Sequence, residues 1–270
     1  MKLYSYPKSS ASFRVRIALN LKDISFEIEP IDLLAGDQKD ALYLSLNPQG
    51  VVPTLVDGEI VLSQSLAAIE YLEERYPQPA LLPPDAAGRA RARQLALLIA
   101  CEIHPLQNLG VLRALEETFG ANEERRRAWA RDVIERGLFA FDQIVGKGPS
   151  GRFCHGDRPG LADLFLVPQL FNARRFECDL QHLPRLLDID AACMELPAFR
   201  QAAPQAQAQA QPTQARPTQE PFVSAGRRLG RSLTHHGITS PTRHPDDEAN
   251  GYRPVSPIID PESLPNPCRS

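Results

Sequence analysis

The pair Asp57-Gly58 constrains the fold of this chain more than any other sequence feature. It lies between two short apolar segments, Thr54–Val56 and Glu59–Leu62, and an Asp-Gly pair in that setting is a strong signal for a tight β-hairpin. A helical pattern over Gln64–Tyr76 follows directly. The sequence therefore predicts an antiparallel pair of strands followed by a helix.

The first thirty residues add a second constraint. Lys2–Tyr6 has the pattern of a strand, Ser12–Leu21 has helical spacing, and Phe26–Ile31 alternates apolar and acidic residues as a half-buried strand does. A strand-helix-strand start needs a right-handed crossover between parallel strands. Together with the later hairpin, it predicts an α/β domain of thioredoxin-like topology.

Composition divides the chain into four parts. Residues 1–80 form the predicted α/β domain, 81–84 a proline-rich linker, 85–203 an all-α domain, and 204–270 an extension. The extension holds eleven of the 25 prolines, an Ala/Gln repeat and only two aromatic residues. It cannot bury enough apolar surface to offset the entropy of ordering, so we expect it to be disordered apart from a few helical residues in the repeat.

Three helical patterns stand out in the all-α part. Ala86–Leu112 has the pattern of one long helix with a kink at Pro105, and Glu123–Val145 has that of a second helix with one basic, solvent-facing side. Leu161–Arg174 is strongly apolar and is predicted to be the buried central helix.

Charge and cysteine content exclude several classes of partner. The net charge is −3, so no basic field favours nucleic acid or an anionic membrane, and no run of eighteen apolar residues predicts a membrane span. The start of the chain lacks the apolar region of a signal peptide. The cysteines have no zinc spacing and are expected to be free thiols in a reducing cytoplasm. They are Cys101, Cys154, Cys178, Cys193 and Cys268.

Ser9-Ser10 lies between the first predicted strand and the first predicted helix. Unpaired backbone N–H groups and the helix dipole favour an anion there, and a serine hydroxyl can donate one more hydrogen bond. No histidine or acidic residue nearby in sequence can activate either serine, which favours anion stabilisation over covalent catalysis. Ordinary N-capping is the alternative interpretation.

Two further dipeptides carry candidate binding groups. A proline that opens a strand, as in Val52-Pro53, suits a cis bond, which would present the Val52 backbone to a peptide-like ligand. Gln64-Ser65, at the start of the next predicted helix, offers side-chain and backbone donors to a carboxylate. A plain helix cap remains an equal alternative there.

Several segments resemble, in the same order, the zeta class of glutathione transferases. They are LYSYPKSSASFRVRIALNLK, LNPQGVVPTL, SQSLAAIEYLEERYP, HPLQNLGVL, LADLFLVPQ and NARRFECDL. The resemblance covers residues 1–203. It implies a thioredoxin-like domain followed by an all-α domain, glutathione as cofactor and a homodimer.

The resemblance also carries functional residues over by position. It implies catalytic roles for Ser9 and Ser10. The implied glutathione contacts are Ser9, Ser10, Ala11, Gln38, Val52, Gln64, Ser65, His104, Asn108, Leu109 and Gly110. Many members of the class have cysteine where this chain has Ala11, which leaves the reacting thiol to glutathione. His104 by itself has the character of a helix-surface histidine, and only the segment that follows it points to the site.

The activity implied is the cis–trans isomerisation of 4-maleylacetoacetate through addition and loss of the glutathione thiolate. The substrate is a dianion, so Lys8 and Arg175 are candidates to bind its carboxylates, with Arg174 the weaker of the adjacent pair. For each, a solvated surface charge is the alternative. Isomerisation of maleylpyruvate, general zeta-class transferase activity and a binding or regulatory role without catalysis remain open.

Overall fold

The computed structural model describes residues 1–210. Its first part contains a four-stranded sheet, and a 3-10 turn at Asp37–Lys39 precedes the second helix. The elements of this part are β1 (Lys2–Ser5), α1 (Ser10–Leu21), β2 (Glu27–Pro30), α2 (Ala41–Leu46), β3 (Thr54–Asp57), β4 (Ile60–Ser63) and α3 (Ser65–Arg75).

The strand order in the sheet is β2-β1-β3-β4. Strands β1 and β2 are parallel, with Lys2 opposite Glu27, whereas β3 is antiparallel to both β1 and β4. The β3–β4 hairpin turns at Asp57-Gly58, and Gly58 has the positive φ of 59° that this turn requires. The predicted thioredoxin-like topology is confirmed.

The rest of the described chain is helical, as predicted. Its elements are α4 (Ala86–Leu97), a π-helical segment (Leu98–Ile103), α5 (Leu109–Phe119), α6 (Glu123–Gly146), α7 (Leu161–Arg175), α8 (Pro184–Met194), α9 (Pro197–Ala202) and α10 (Pro204–Ala210). Helix α10 lies in the Ala/Gln repeat, where the sequence allowed a few helical residues. The rest of the extension, for which the sequence predicts disorder, begins at residue 211 and lies outside the described residues.

Two helix predictions are wrong. The pattern over 86–112 is not one kinked helix, because the chain passes into the π-helical segment after Leu97 and leaves helical geometry before Asn108. The Asn108 side chain then accepts a hydrogen bond from the Leu109 N–H at 2.8 Å and begins a separate helix, α5. The apolar helix predicted to end at Arg174, with Arg175 in the loop after it, continues through Arg175, which is the last residue of α7.

Helix α1 is buried along most of its length. Every residue from Ser10 to Leu19 is buried, and the helix packs against α3, α7 and α9. Two of these residues, Arg14 and Arg16, are charged and only 2% and 0% exposed. The N-terminal end of α1 is therefore held between the sheet part and the helical part of the molecule.

The linker after α3 is held by a buried carboxylate. Glu73 accepts hydrogen bonds from the backbone N–H groups of Leu81 and Leu82 and forms an ion pair with Lys22 at 2.8 Å. The Leu81 carbonyl in turn accepts from the Leu161 N–H, at the start of α7, at 2.7 Å. These contacts fix α7 relative to α1 and α3. The residue bounds of the two domains remain a prediction.

The described helices include none that is long and apolar enough to cross a membrane. Four cysteines of this part of the chain are free thiols, and they are Cys101, Cys154, Cys178 and Cys193.

Candidate functional site

The candidate site begins at the N-terminal end of α1, where Ser9 occupies the N-cap. Its Oγ accepts a hydrogen bond from the Ser12 N–H at 3.2 Å. The oxygen of Ser9 therefore caps the helix, as the N-capping interpretation predicted. The same contact leaves the hydroxyl hydrogen free, because the oxygen acts there as acceptor. Capping and donation to a bound anion are therefore compatible at Ser9.

Ser10 is buried and faces the helical part of the molecule. Its Oγ accepts a hydrogen bond from Asn172 Nδ2 at 3.1 Å, and Asn172 Oδ1 accepts one from Arg175 Nη1 at 3.3 Å. The Arg175 guanidinium also lies over the Phe171 ring, 5.9 Å from its centroid. Two residues that are 165 positions apart in the sequence, Ser10 and Arg175, are thus brought together through one amide.

Ser65, the first residue of α3, is also buried. Its Oγ accepts a hydrogen bond from Arg14 Nη1 at 3.2 Å. The other two guanidinium nitrogens of Arg14 have no partner within residues 1–210, and the group lies 4.4 Å from the centroid of Phe165. Burial lowers the pKa of Arg14 to about 9, which leaves it charged at neutral pH. A buried cation without a carboxylate partner therefore lies directly behind Ser65.

Gln64, just before Ser65, has a φ of +71° and an exposed side chain that donates to Gln49 Oε1 at 2.9 Å. A residue other than glycine in this region carries a conformational cost of order 1–3 kcal/mol, and such residues cluster at ligand-binding positions. The strained backbone at Gln64 thus lies directly before the first residue of α3.

The loop before β3 supplies a free backbone edge. The Val52-Pro53 bond is cis, as predicted. Within residues 1–210, the backbone N–H and carbonyl of Val52 form no hydrogen bond, whereas the carbonyl of Val51 accepts from Tyr43 Oη at 2.6 Å. Gln38 is next to this loop, because its carbonyl lies 3.1 Å from where a Cβ on Gly50 would be.

His104 extends the site toward the helical part. It is half-buried, and burial together with the nearby charge of Arg14 lowers the pKa of His104 to about 3. The imidazole is therefore neutral at physiological pH and lies in the electrostatic field of the group that holds Ser65.

The structure does not join every predicted residue to this cluster by direct contact. Asn108, Leu109 and Gly110 are exposed at the start of α5, and a Cβ on Gly110 would meet no atom within 4 Å. Lys8 is exposed and pairs with no residue in the described part of the chain, while Ala11 is buried inside α1.

Sequence reasoning missed two residues at this site, Arg14 and Asn172. The sequence signal for Arg14 was its position two residues before Arg16 in a predicted helix. Residues two apart lie on different faces of a helix, so the two arginines cannot both point to the same solvent-exposed side. The signal for Asn172 was an amide in the last turn of an otherwise apolar helix, where a buried polar group needs a partner.

The arrangement favours an anionic ligand. The hydroxyl oxygens of Ser9, Ser10 and Ser65 each accept from a protein N–H, so each hydroxyl hydrogen remains available to donate elsewhere. The first turns of α1 and α3 contain no acidic residue that would repel such a ligand. Residues 1–210 contain no cluster of three or more His, Cys, Asp or Glu residues able to hold a metal.

Comparison with known proteins identifies relatives over most of the described chain. Residues 3–80 match the family model of the glutathione S-transferase N-terminal domain. The maleylacetoacetate isomerase of Pseudomonas aeruginosa is 49% identical over 207 residues, which are 76% of this chain and 96% of that protein. A solved maleylpyruvate isomerase, described as a bacterial zeta-class glutathione S-transferase, aligns with a TM-score of 0.75 and 47% identity, covering 80% of this chain and 100% of its own.

A third relative was solved with ligands. The maleylacetoacetate isomerase of Methylobacterium extorquens AM1, with bound malonate and glutathione, aligns with a TM-score of 0.74 and 40% identity. The alignment covers 76% of this chain and 96% of that one.

The lowered pKa of His104 predicts a pH-dependent stability. As the pH falls below about 6.5, the unfolded chain protonates this histidine while the folded chain does not, so the free energy of unfolding should fall by up to about 1.4 kcal/mol per pH unit until the pH approaches the folded-state pKa of about 3. His104→Gln should remove this slope in chemical denaturation at stepped pH. His182→Gln, at an exposed histidine, is the matched control and should keep it. Equal slopes in both variants would contradict the burial of a neutral His104.

Proposed function

The chain belongs to the zeta class of glutathione transferases, and from that premise we propose that it catalyses the glutathione-dependent cis–trans isomerisation of 4-maleylacetoacetate to 4-fumarylacetoacetate. One observation carries the proposal. Three serine hydroxyls, at the N-terminal ends of α1 and α3, have their oxygens occupied by protein N–H donors and their hydrogens free. Such fixed donors stabilise a negative charge without having to reorganise when it forms.

Glutathione fits the groups that the fold leaves unpaired. The free backbone N–H and carbonyl of Val52 suit the peptide part of glutathione, in the manner of an added strand. Gln64 and Ser65, with the buried Arg14 cation behind them, suit a carboxylate. We place the thiol at Ser9, and we assign the remaining contacts to Ser10, Ala11, Gln38, His104, Asn108, Leu109 and Gly110.

The mechanism divides the work between the cofactor and the chain. Bound glutathione supplies a thiolate that adds reversibly to the activated double bond, so that rotation about it becomes possible. The Ser9 hydroxyl and the backbone N–H groups at the start of α1 favour the charged form of the thiol and so lower its pKa. Arg175, and Lys8 beside Ser9, bind the carboxylates of the dianionic substrate.

Maleylpyruvate is the second candidate substrate. The similarity to a solved maleylpyruvate isomerase favours it, whereas the uncharged, exposed pair Leu109-Gly110 offers no cation to a shorter dicarboxylate. Assays of the purified protein with each substrate separate the two. Conjugation by a general zeta-class transferase would be measured with small α-halo acids. The free thiols of the described cysteines suit a reducing compartment, and we propose a cytoplasmic location.

We also propose a homodimer. Strand β4 lies at the edge of the sheet and exposes Ile60 and Val61 by 46% and 41%, and an apolar edge strand of this kind is normally covered. Sedimentation velocity of the full chain is expected to give twice the chain mass. A monomer at the concentrations used for the activity assay would overturn the assignment.

Ser9→Ala should impair catalysis far more than glutathione binding. Binding is spread over several groups, whereas the lost hydroxyl is a single donor to a charged sulfur, worth about 1.5–3 kcal/mol, or roughly a ten- to hundred-fold drop in kcat. The pKa of the bound glutathione thiol should rise, as read from thiolate absorbance. An unchanged rate and thiol pKa would remove Ser9 from the mechanism.

Arg175→Met should raise KM for a maleyl dicarboxylate while glutathione affinity changes little. A charge-assisted contact to a carboxylate is worth about 2–3 kcal/mol, against well under about 1 kcal/mol for a bare surface arginine. Steady-state kinetics with maleylacetone measure the difference. Arg174→Met is the matched control, because Arg174 is engaged by Asp190 at 2.6 Å. A kcat/KM for the Arg175 variant within about twofold of wild type would assign Arg175 to the surface.

A further inference from the structure

Asn172 is the buried amide that joins helix α7 to helix α1. It is 7% exposed, and both ends of its side chain are engaged. Arg175 can only donate hydrogen bonds, so the atom that faces it must be Oδ1, and Nδ2 must face Ser10. The neighbouring cation thus fixes the orientation of the amide.

The orientation of Asn172 determines what Ser10 can do. Because the amide donates to the serine oxygen, the hydroxyl hydrogen cannot point toward Asn172. Ser10 is 3% exposed and has no other side-chain hydrogen bond within residues 1–210. It is also the first residue of α1, where the backbone N–H groups lack helical partners. The Ser10 hydroxyl therefore lies at the end of the helix that favours an anion, and its hydrogen has no acceptor within residues 1–210.

We propose that Asn172 is a positioning residue, which holds the Ser10 hydroxyl as a donor to the anion bound at the start of α1 and couples this donor to Arg175. The assignment rests on the proposed function, because the anion is the glutathione thiolate and Arg175 binds the second substrate. A hydroxyl that already accepts from an N–H is polarised and becomes a stronger donor. One amide then connects the thiolate end of the site to its carboxylate end.

A purely structural role is the alternative, and the chain offers a matched control for it. Asn20 is on the same helix as Ser10, and its Nδ2 donates across a helix contact to the Ala198 carbonyl at 3.0 Å. Asn20→Asp and Asn172→Asp thus remove the same kind of donor at opposite ends of α1. Both should reduce thermal stability, but only the change at Asn172 should alter the site.

The first measurement uses the full chain with glutathione alone. In Asn172→Ala the pKa of the bound thiol should rise, and in Asn172→Asp it should rise further, because the carboxylate accepts the Ser10 hydrogen and adds negative charge. Asn20→Asp should leave the thiol pKa at the wild-type value. If Asn172→Ala also leaves it there, the proposal is overturned.

The second measurement is a double-mutant cycle with Ser10→Ala. Asn172→Ala should lower kcat about five- to tenfold in the wild-type background and less than about twofold in the Ser10→Ala background, because it acts through the hydroxyl. Equal losses in both backgrounds would overturn the proposal. If the wild-type chain binds glutathione but isomerises neither dicarboxylate, the proposed function fails, whereas the thiol pKa still decides the role of Asn172.

Discussion

The burial of helix α1 between the sheet and the helical part is the constraint on which the rest of the site depends. Two arginines are inside this contact, and a buried charge is costly unless it is hydrogen-bonded. Arg16 meets the requirement by donating to the carbonyls of Ala202 and Pro7, at 2.9 and 3.0 Å. Arg14 donates to Ser65 and lies on the face of an aromatic ring. Rotating or sliding α1 would separate these groups, so the position of its N-terminal end is fixed.

The fixed position of this helix end matters because a serine hydroxyl has only one hydrogen, and the contacts around the oxygen limit where that hydrogen can point. A hydroxyl in open solvent donates to water as readily as to a ligand, whereas one whose oxygen is held by a fixed N–H has fewer orientations left. The three serines are held by different kinds of donor, namely a backbone N–H, an amide and a guanidinium. Although the three donors differ, each contact leaves the serine hydrogen free to donate, as the proposed anion-binding role requires.

Local patterns predicted the elements whose causes are local. The Asp57-Gly58 hairpin, the strand-helix-strand start and the apolar helix α7 all follow from spacing and turn residues within a few positions. The single helix over 86–112 was wrong because amphipathic spacing continues through the π-helical segment and past Pro105, although the backbone does not. The spacing of apolar residues shows which side chains face the core. A chain can keep the same side toward the core even where its helical backbone is interrupted.

The candidate site residues also divide into those that local sequence patterns predicted and those that they did not. Ser9, Ser10 and Ser65 could be predicted because helix N-termini are readable from sequence, whereas Asn108 to Gly110 needed the resemblance to a family. Arg14 and Asn172 were missed because their roles depend on contacts 51 and 162 residues away in the chain. A buried polar residue can be suspected from its apolar neighbours, but its partner is determined only by the tertiary fold.

The linker determines where α7 lies relative to α1. Glu73, near the end of α3, binds the N–H groups of Leu81 and Leu82, and the Leu81 carbonyl binds the first N–H of α7. Helix α7 ends at Arg175, one turn after Asn172. The hydrogen bond from Asn172 to Ser10 thus depends on a buried carboxylate in a different helix. The sheet part alone carries the serines, but without α7 the Ser10 oxygen loses its amide donor and its hydroxyl is free to turn.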